Sequence, residues 1–278
     1  MKKKADREEI LLRRLRLTGS VSLGEAMSLF NVSEATARRL FSDLEASGTV
    51  VRCYGGVRLA AQVAGYSFAQ RELEYRAEKV RIGRLAASFV ENGDTIYLDS
   101  GTTILQMTLA LNERILRGEF ETLNVVTNSI ANVTSLTPGK NCRVILAGGE
   151  YSPERRDFSG PLTEGSLLPF HFTKSFLGAD GLTPEMGFCS DQISISSLNA
   201  LVRKHSSRCY ALLTSAKFGR NSLISYALPG EIFTLVTDTA PDEKLAEAFR
   251  QVGVGICIPD RGADEWSTGS VKHGSDEQ

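Results

Sequence analysis

The sequence predicts an α/β protein in two parts: a small unit of three helices and a hairpin, followed by a larger domain built on a parallel sheet. Three observations carry that reading. The first sixty residues hold three short stretches of helical periodicity and then a glycine-centred hairpin pattern. From residue 95 onward, seven short apolar runs alternate with helical ones. The charge is also divided: residues 1–60 carry 11 Lys and Arg against 7 Asp and Glu, and the remainder 21 against 26, in a chain of net charge −1. At 278 residues, 42% of them hydrophobic, the chain is long enough for two cores.

The N-terminal elements follow in order. A first helix is expected over 6–17, with Ile10, Leu11 and Leu15 at helical spacing and a stop at Thr18-Gly19. A second covers 22–30, where Leu23, Ala26, Met27 and Phe30 form one apolar stripe. After a turn at Asn31-Val32, Ser33 is placed to cap a third helix. Its inner stripe is Ala37, Leu40, Phe41 and Leu44, and its opposite face carries Ala35, Arg38, Arg39 and Ser42. Gly48 ends it. Val50 to Tyr54, then Gly55-Gly56, then Val57 to Leu59 read as a hairpin, which makes the unit a winged helix-turn-helix.

A helix that enters the major groove buries one face and sends basic and hydroxyl side chains outward. The third helix meets both demands, so Ser33, Thr36, Arg38 and Arg39 are its candidate DNA contacts. Arg52, Tyr54 and Arg58 decorate a wing that reaches phosphates. An ordinary solvated basic helix would also show the arginine pair, but not the three-helix spacing and the charge division together.

The expected boundaries are a DNA-binding unit over 1–60, a linker over 61–70, a sensing domain over 71–263 and a disordered polar tail over 264–278. A long amphipathic helix over 71–90 opens the sensing domain. Strands are expected at 95–99, 123–127, 142–147, 174–178, 208–213, 232–237 and 255–258. In a parallel sheet all the strand C-termini share the edge at which ligands bind.

Several loops at that edge have the chemistry for an anion. Asp99, Ser100, Gly101, Thr102 and Thr103 lie between a strand and a helix, where backbone amides and hydroxyls meet a phosphate. Thr127-Asn128-Ser129, Gly148-Gly149, Asp180-Gly181 and Lys217 follow later strands. Each taken singly has a plainer role as helix cap, turn, Asx-turn or solvated lysine. Gathered at one edge, they converge on an effector pocket.

Other classes are disfavoured. No run of about 18 apolar residues occurs and the start is charged, so a cytoplasmic protein is expected. Cys53, Cys142, Cys189, Cys209 and Cys257 are scattered, which reads as buried reduced thiols. His171, His205 and His273 lack metal-ligand spacing, so neither a metal nor another cofactor is expected.

The segment from Arg7 to Leu59 resembles the N-terminal signature of the DeoR family of transcriptional regulators. Val32, Ser33, Thr36, Arg38, Arg39, Leu44, Glu45, Gly48, Arg52, Gly55 and Gly56 match it, while Ala37, Leu40 and Phe41 depart. The blocks "EKVRIGRLAASFVENGDTIYLDSGTT", "VVTNSIANV", "ILAGGEYSPERRDFSGP", "FLGADGLTPEMGF", "TSAKFGR" and "LVTD" extend the resemblance to about Asp238. One block departs: Thr214-Ser215-Ala216-Lys217 stands for the usual D-S-S-K, so the lysine is kept and the acid is not.

The resemblance implies a Rossmann-like sensor domain similar to ribose-5-phosphate isomerase and glucosamine-6-phosphate deaminase. It also implies repression of a carbohydrate-use operon, relieved by a phosphorylated sugar or polyol. Operator duplex DNA, that metabolite and a second copy of the chain are the expected partners; no membrane is. The competing reading is a sugar-phosphate isomerase or deaminase fused to a DNA-binding unit, with Asp99, Asp180 and Lys217 available for acid–base work. Against it, Leu182-Thr183 follows Asp180-Gly181 where deaminases place a histidine, so no catalytic residue is expected.

Overall fold

The computed structural model describes residues 2–18, 20–53, 55–59 and 67–259. The chain divides into two compact units, Met1–Ser67 and Phe68–Gln278. The expected tail over 264–278 and most of the expected linker lie outside the described residues, as does Tyr54.

The first unit runs α1 (Lys2–Thr18), β1 (Ser20–Ser22), α2 (Leu23–Phe30), α3 (Glu34–Ala46), β2 (Val50–Cys53) and β3 (Gly56–Leu59). Helix α2 starts where Ser22 and Glu25 form a reciprocal capping box, and it ends where Asn31 takes the left-handed conformation. The α3 stripe Ala37, Leu40, Phe41 and Leu44 closes a core with Leu11, Leu15, Val21, Ala26, Val50 and Val57. Ile10, expected on the buried stripe of α1, is instead 48% exposed. Strand β1 pairs with β3, giving the sheet order β1-β3-β2. That strand had no sequence signal, because three residues are too few to show alternation.

The second unit opens with α4 (Phe68–Leu73) and α5 (Arg76–Ser88), followed by β4 (Thr95–Leu98), α6 (Thr102–Leu116), β5 (Leu123–Thr127), α7 (Ile130–Ser135) and β6 (Cys142–Leu146). A hairpin, β7 (Glu150–Ser152) with β8 (Asp157–Ser159), and α8 (Pro161–Leu167) lead to β9 (Phe172–Leu177). Then come β10 (Gly181–Thr183), β11 (Gly187–Ser190), α9 (Ile193–Lys204), β12 (Ser206–Leu212), β13 (Ile224–Ala227), β14 (Thr234–Val236), α10 (Glu243–Gln251) and β15 (Gly255–Cys257).

Seven strands form one parallel sheet in the order β15-β14-β12-β9-β4-β5-β6. These are the seven that the apolar runs predict, because strands covered on both faces read as short continuous apolar segments. Their side chains alternate between two cores. Ile96, Leu98, Val125, Tyr210, Leu212 and Val236 face the α5 and α6 side with Ile82, Ala86, Ile104 and Met107. Tyr97, Val126, Ala211 and Leu235 face the other side with Leu167, Leu198 and Phe249. The sheet is thus doubly wound.

The chain builds outward from β4 through β5 to β6, then returns to the other side of β4 as β9 and continues to β12. The topological switch point therefore lies between β4 and β9, and in sheets of this kind ligands bind at the strand C-termini beside it.

Two features depart from the sequence expectation. The single helix over 71–90 is two helices, broken at Tyr75, which sits at φ 52°, ψ 38°. Residues 68–70, expected in the linker, belong to α4, with Phe68 buried. A second sheet, β10-β11-β13, and the β7–β8 hairpin also flank the loops at this edge.

Candidate functional site

Helix α3 presents Ser33, Thr36, Arg38 and Arg39 on its exposed side. Ser33 occupies the N-cap position, but its Oγ lies 3.1 Å from Thr36 Oγ1 rather than on a backbone amide. Arg38 donates to Glu34 Oε1 at 2.7 Å, a pair exposed enough to open at little cost. Arg52 is differently employed. It reaches back from β2 to Glu45 Oε2 at 3.3 Å, Ser42 Oγ at 2.8 Å and the Arg38 carbonyl at 3.2 Å, with its guanidinium over the Phe41 ring. Those contacts fix the wing to α3. Tyr54 and the Arg58 side chain lie outside the described residues.

At the switch point, the β4–α6 loop packs against the loop after β9. Asp99 is buried and accepts from the Ser100 amide at 2.7 Å, the Gly178 amide at 2.9 Å and Asn199 Nδ2 at 3.3 Å. Burial pushes its carboxyl up, against those hydrogen bonds. Ser100 Oγ donates to buried Asp157 at 2.5 Å, and Arg155 donates to the same carboxylate oxygen at 3.0 Å. Helix α6 begins at N-cap Gly101, which has no side chain with which to cap the first-turn amides.

Beside those amides stands a group of cations. Arg71, on α4, forms an ion pair with Asp180 and lies 3.8 Å from Asp191. Lys217, in a 3₁₀ turn after β12, lies 3.9 Å from Asp180 Oδ1. Lys79, on α5 and only 6% exposed, donates to the Arg71 carbonyl, which Thr102 Oγ1 also approaches at 3.5 Å. Burial and the charges of Lys217 and Arg71 lower Lys79 to about 8. Burial and Arg71 lower Lys217 to about 8 against the pull of Asp180. For Asp180 burial pushes upward, but Arg71 and Lys217 outweigh it and hold the carboxyl at about 2. Both lysines are depressed by burial beside like charge, an arrangement that an added anion relieves.

Of the residues expected from the sequence, Asp99, Ser100, Gly101, Thr102, Thr103, Asp180, Gly181 and Lys217 come together at this edge. Thr127, Asn128 and Ser129 are spent on the framework. Thr127 Oγ1 donates to the Leu98 carbonyl at 2.6 Å; Asn128 accepts from Tyr97 and donates to the Phe158 carbonyl; Ser129 caps α7 through the Asn132 amide. Gly149 is needed for close packing, because a Cβ there would lie 2.0 Å from Thr163 Oγ1, whereas Gly148 has open space. Arg71, Lys79, Asp157 and Asn199 had not been singled out. Lys79 left a trace: it occupies the stripe 79, 82, 83, 86, where an amphipathic helix places apolar residues.

The Thr214-Ser215-Ala216-Lys217 turn is held from another strand end. Asp238 accepts from the Ser215 amide at 2.7 Å and from its hydroxyl at 2.8 Å. Among the described residues, no cluster of His, Cys, Asp and Glu is placed to hold a metal ion, and no helix is long and apolar enough to cross a membrane.

A winged helix-turn-helix followed in the chain by a doubly wound sheet with Arg71, Lys79 and Lys217 gathered at its switch point has the features of a DNA-binding regulator with a sensing domain. Residues 7–63 match the model of the DeoR-like helix-turn-helix domain, and residues 74–239 match that of the DeoR C terminal sensor domain. The chain belongs to the DeoR family of transcriptional regulators.

Among its relatives, the transcriptional repressor AccR of Agrobacterium fabrum is 31% identical, over 84% of this chain and 89% of that protein. The lactose phosphotransferase system repressor of Streptococcus mutans is 30% identical, over 87% and 95%. The HTH-type transcriptional regulator IolR of Bacillus subtilis is 27% identical, over 86% and 92%. Among solved structures, ribose 5-phosphate isomerase A of Methanocaldococcus jannaschii aligns with a TM-score of 0.37 at 15% identity, over 50% of this chain and 53% of that one. The eIF2B beta subunit of Chaetomium thermophilum aligns with a TM-score of 0.41 at 12% identity, over 63% and 53%.

Proposed function

We propose that this regulator represses a carbohydrate-use operon and releases its operator when a phosphorylated sugar or polyol occupies the switch point between β4 and β9. The observation that carries the reading is the placement of Lys79, Lys217 and Arg71 around the uncapped start of α6. A dianionic phosphate there receives first-turn amides, the hydroxyls of Thr102 and Thr103, and charge-assisted bonds from the lysines, whereas the Ser100 hydroxyl is spent on Asp157. A neutral sugar lacks that handle. The names of the lactose phosphotransferase system repressor and of an aga operon repressor of Escherichia coli O157:H7, 26% identical, agree with a carbohydrate signal. The DNA contacts of this reading are Thr36, Arg38 and Arg39 of α3, and two copies of the chain read the two half-sites of the operator.

Catalysis is not part of the proposal. A general base must be matched to the operating pH and within reach of the substrate, whereas Asp180 is held at about 2 and Asp99, although raised by burial, is 4% exposed behind the Ser100 and Gly178 amides. The test is a thermal-shift comparison of phosphorylated sugars and polyols with their unphosphorylated parents. A rise in melting temperature confined to phosphorylated compounds supports the reading; equal shifts, or turnover of the compound by the purified protein, contradict it.

A further inference from the structure

A phosphorylated sugar or polyol has two chemically different ends. Its phosphate offers only acceptors, whereas its hydroxyls also donate. The groups that suit the phosphate, namely the α6 amides, Thr102, Thr103, Arg71, Lys79 and Lys217, are donors. A hydroxyl calls for an acceptor beside them.

Two carboxylates lie against Arg71, and its guanidinium spans them. One terminal nitrogen pairs with Asp180; the other lies 3.8 Å from Asp191 Oδ2. The two acids differ in what they have left to offer. The Asp180 side chain is only 13% exposed. One of its oxygens faces Arg71 and Lys217, and the other accepts from the Asp191 amide at 3.1 Å and the Ser190 hydroxyl at 3.4 Å. Asp191, in the loop between β11 and α9, has a side chain 58% exposed. Its Oδ1 accepts from the Ser222 hydroxyl, while Oδ2 stands beyond hydrogen-bond length of Arg71. Strand pairing holds the place of this carboxylate: Ser190, the residue before it, is the register partner of Ile224, two residues after Ser222. The acceptor is therefore set in position before a ligand arrives.

We propose that Asp191 determines the specificity of the effector site: its Oδ2 accepts a hydrogen bond from a hydroxyl on the carbons next to the phosphate ester, so the site selects polyhydroxylated phosphates. The inference rests on the effector site proposed above. Arg71 is common to both ends. A phosphate oxygen bonded to its guanidinium stands about 3 Å from it, and Asp191 stands 3.8 Å from it. That spacing suits a phosphate ester and the hydroxyls on its first carbons. Asp191 also works by exclusion, because it repels a bare phosphate and gains nothing from an alkyl chain. A plain surface ion pair with Arg71 would be worth little and would act on every phosphate alike.

The test uses the full chain and calorimetric affinity at fixed pH and salt for three probes: inorganic phosphate, propyl phosphate and glycerol 3-phosphate. The two esters have the same carbon chain and differ by two hydroxyls. The wild type should bind glycerol 3-phosphate about tenfold more tightly than propyl phosphate, the worth of one charge-assisted hydrogen bond. In Asp191→Ala that ratio should fall to about twofold or less, with inorganic phosphate bound at least as tightly as by the wild type. Asp191→Asn, whose amide oxygen still accepts, should lie between the two. The exposed side chain makes these variants fold as the wild type does, and equal melting temperatures check it. If the ratio is absent in the wild type or survives in Asp191→Ala, or if all three probes weaken equally in that variant, Asp191 does not read the hydroxyl and the effector site stands. If none of the probes binds the wild type, the site and this reading fall together.

Discussion

Lys217 Nζ lies 3.9 Å from Asp180 Oδ1, although the two residues close different strands of the sheet. The site is left cationic, because Asp180 is shared between Arg71 and Lys217 and Lys79 stands against the Arg71 carbonyl.

The first prediction concerns protons. Lys79 and Lys217 are each lowered from 10.5 to about 8 in the ligand-free fold. Their stabilising contribution is therefore fully present above pH 10.5 and is lost as the pH falls through 8. A bound dianion favours the charged ammonium groups and raises both values. Binding at pH 8 should then take up protons, and affinity should fall as the pH is raised through 8. Calorimetry in buffers of different ionisation enthalpy measures the uptake; a heat independent of the buffer at pH 8 counts against the site.

Arg39 should read a base. Its alanine variant should lose about 1–3 kcal/mol of operator affinity at fixed salt. Arg38→Ala should lose a similar amount, since the Glu34 pair at the surface opens easily. Filter-binding titrations in which both variants match the wild type would remove α3 as the reading helix.

Arg52 should behave otherwise. It fixes the wing to α3 through Ser42, Glu45 and the Arg38 carbonyl, so Arg52→Ala should cost about 1 kcal/mol of stability in the winged unit. Denaturant unfolding monitors this. A variant with unchanged stability and strongly reduced DNA affinity would make Arg52 a phosphate contact after all.

Gly83 sets the approach of α5 to α6. A Cβ there would lie 2.5 Å from the backbone of Gln106 and Met107, so Gly83→Ala forces the helices apart. A loss of about 1–3 kcal/mol is expected from such overpacking. An unfolding midpoint equal to that of the wild type would contradict the packing described here.

The parallel sheet was legible because strands buried on both faces read as unbroken apolar runs, and the edge where their loops meet follows from the direction of the strands. The break at Tyr75 was not, because neither Gly nor Pro marks it and helix-forming residues continue from α4 into α5. Strands β10, β11 and β13 are three or four residues long and carry no periodic signal. Thr127, Asn128 and Ser129 had the right chemistry and the right loop, yet their hydrogen bonds close on the framework; only the partners reveal that. Arg71 could not be assigned from sequence, since its partner Asp180 is 109 positions away. Lys79 could have been, as a lysine on an apolar stripe.

The central claim is that an anion held by Thr102 and Lys217 lowers operator affinity, and its most direct test is an operator titration of wild type, Thr102→Val and Lys217→Ala. Each is measured with and without the phosphorylated compound that raises the melting temperature of the wild type. Wild type should release DNA when the compound is added, with a coupling of about 1–3 kcal/mol. Both variants should bind operator as the wild type does and keep it when the compound is present. Release of DNA by both variants at wild-type ligand concentrations would place the effector elsewhere and contradict the account.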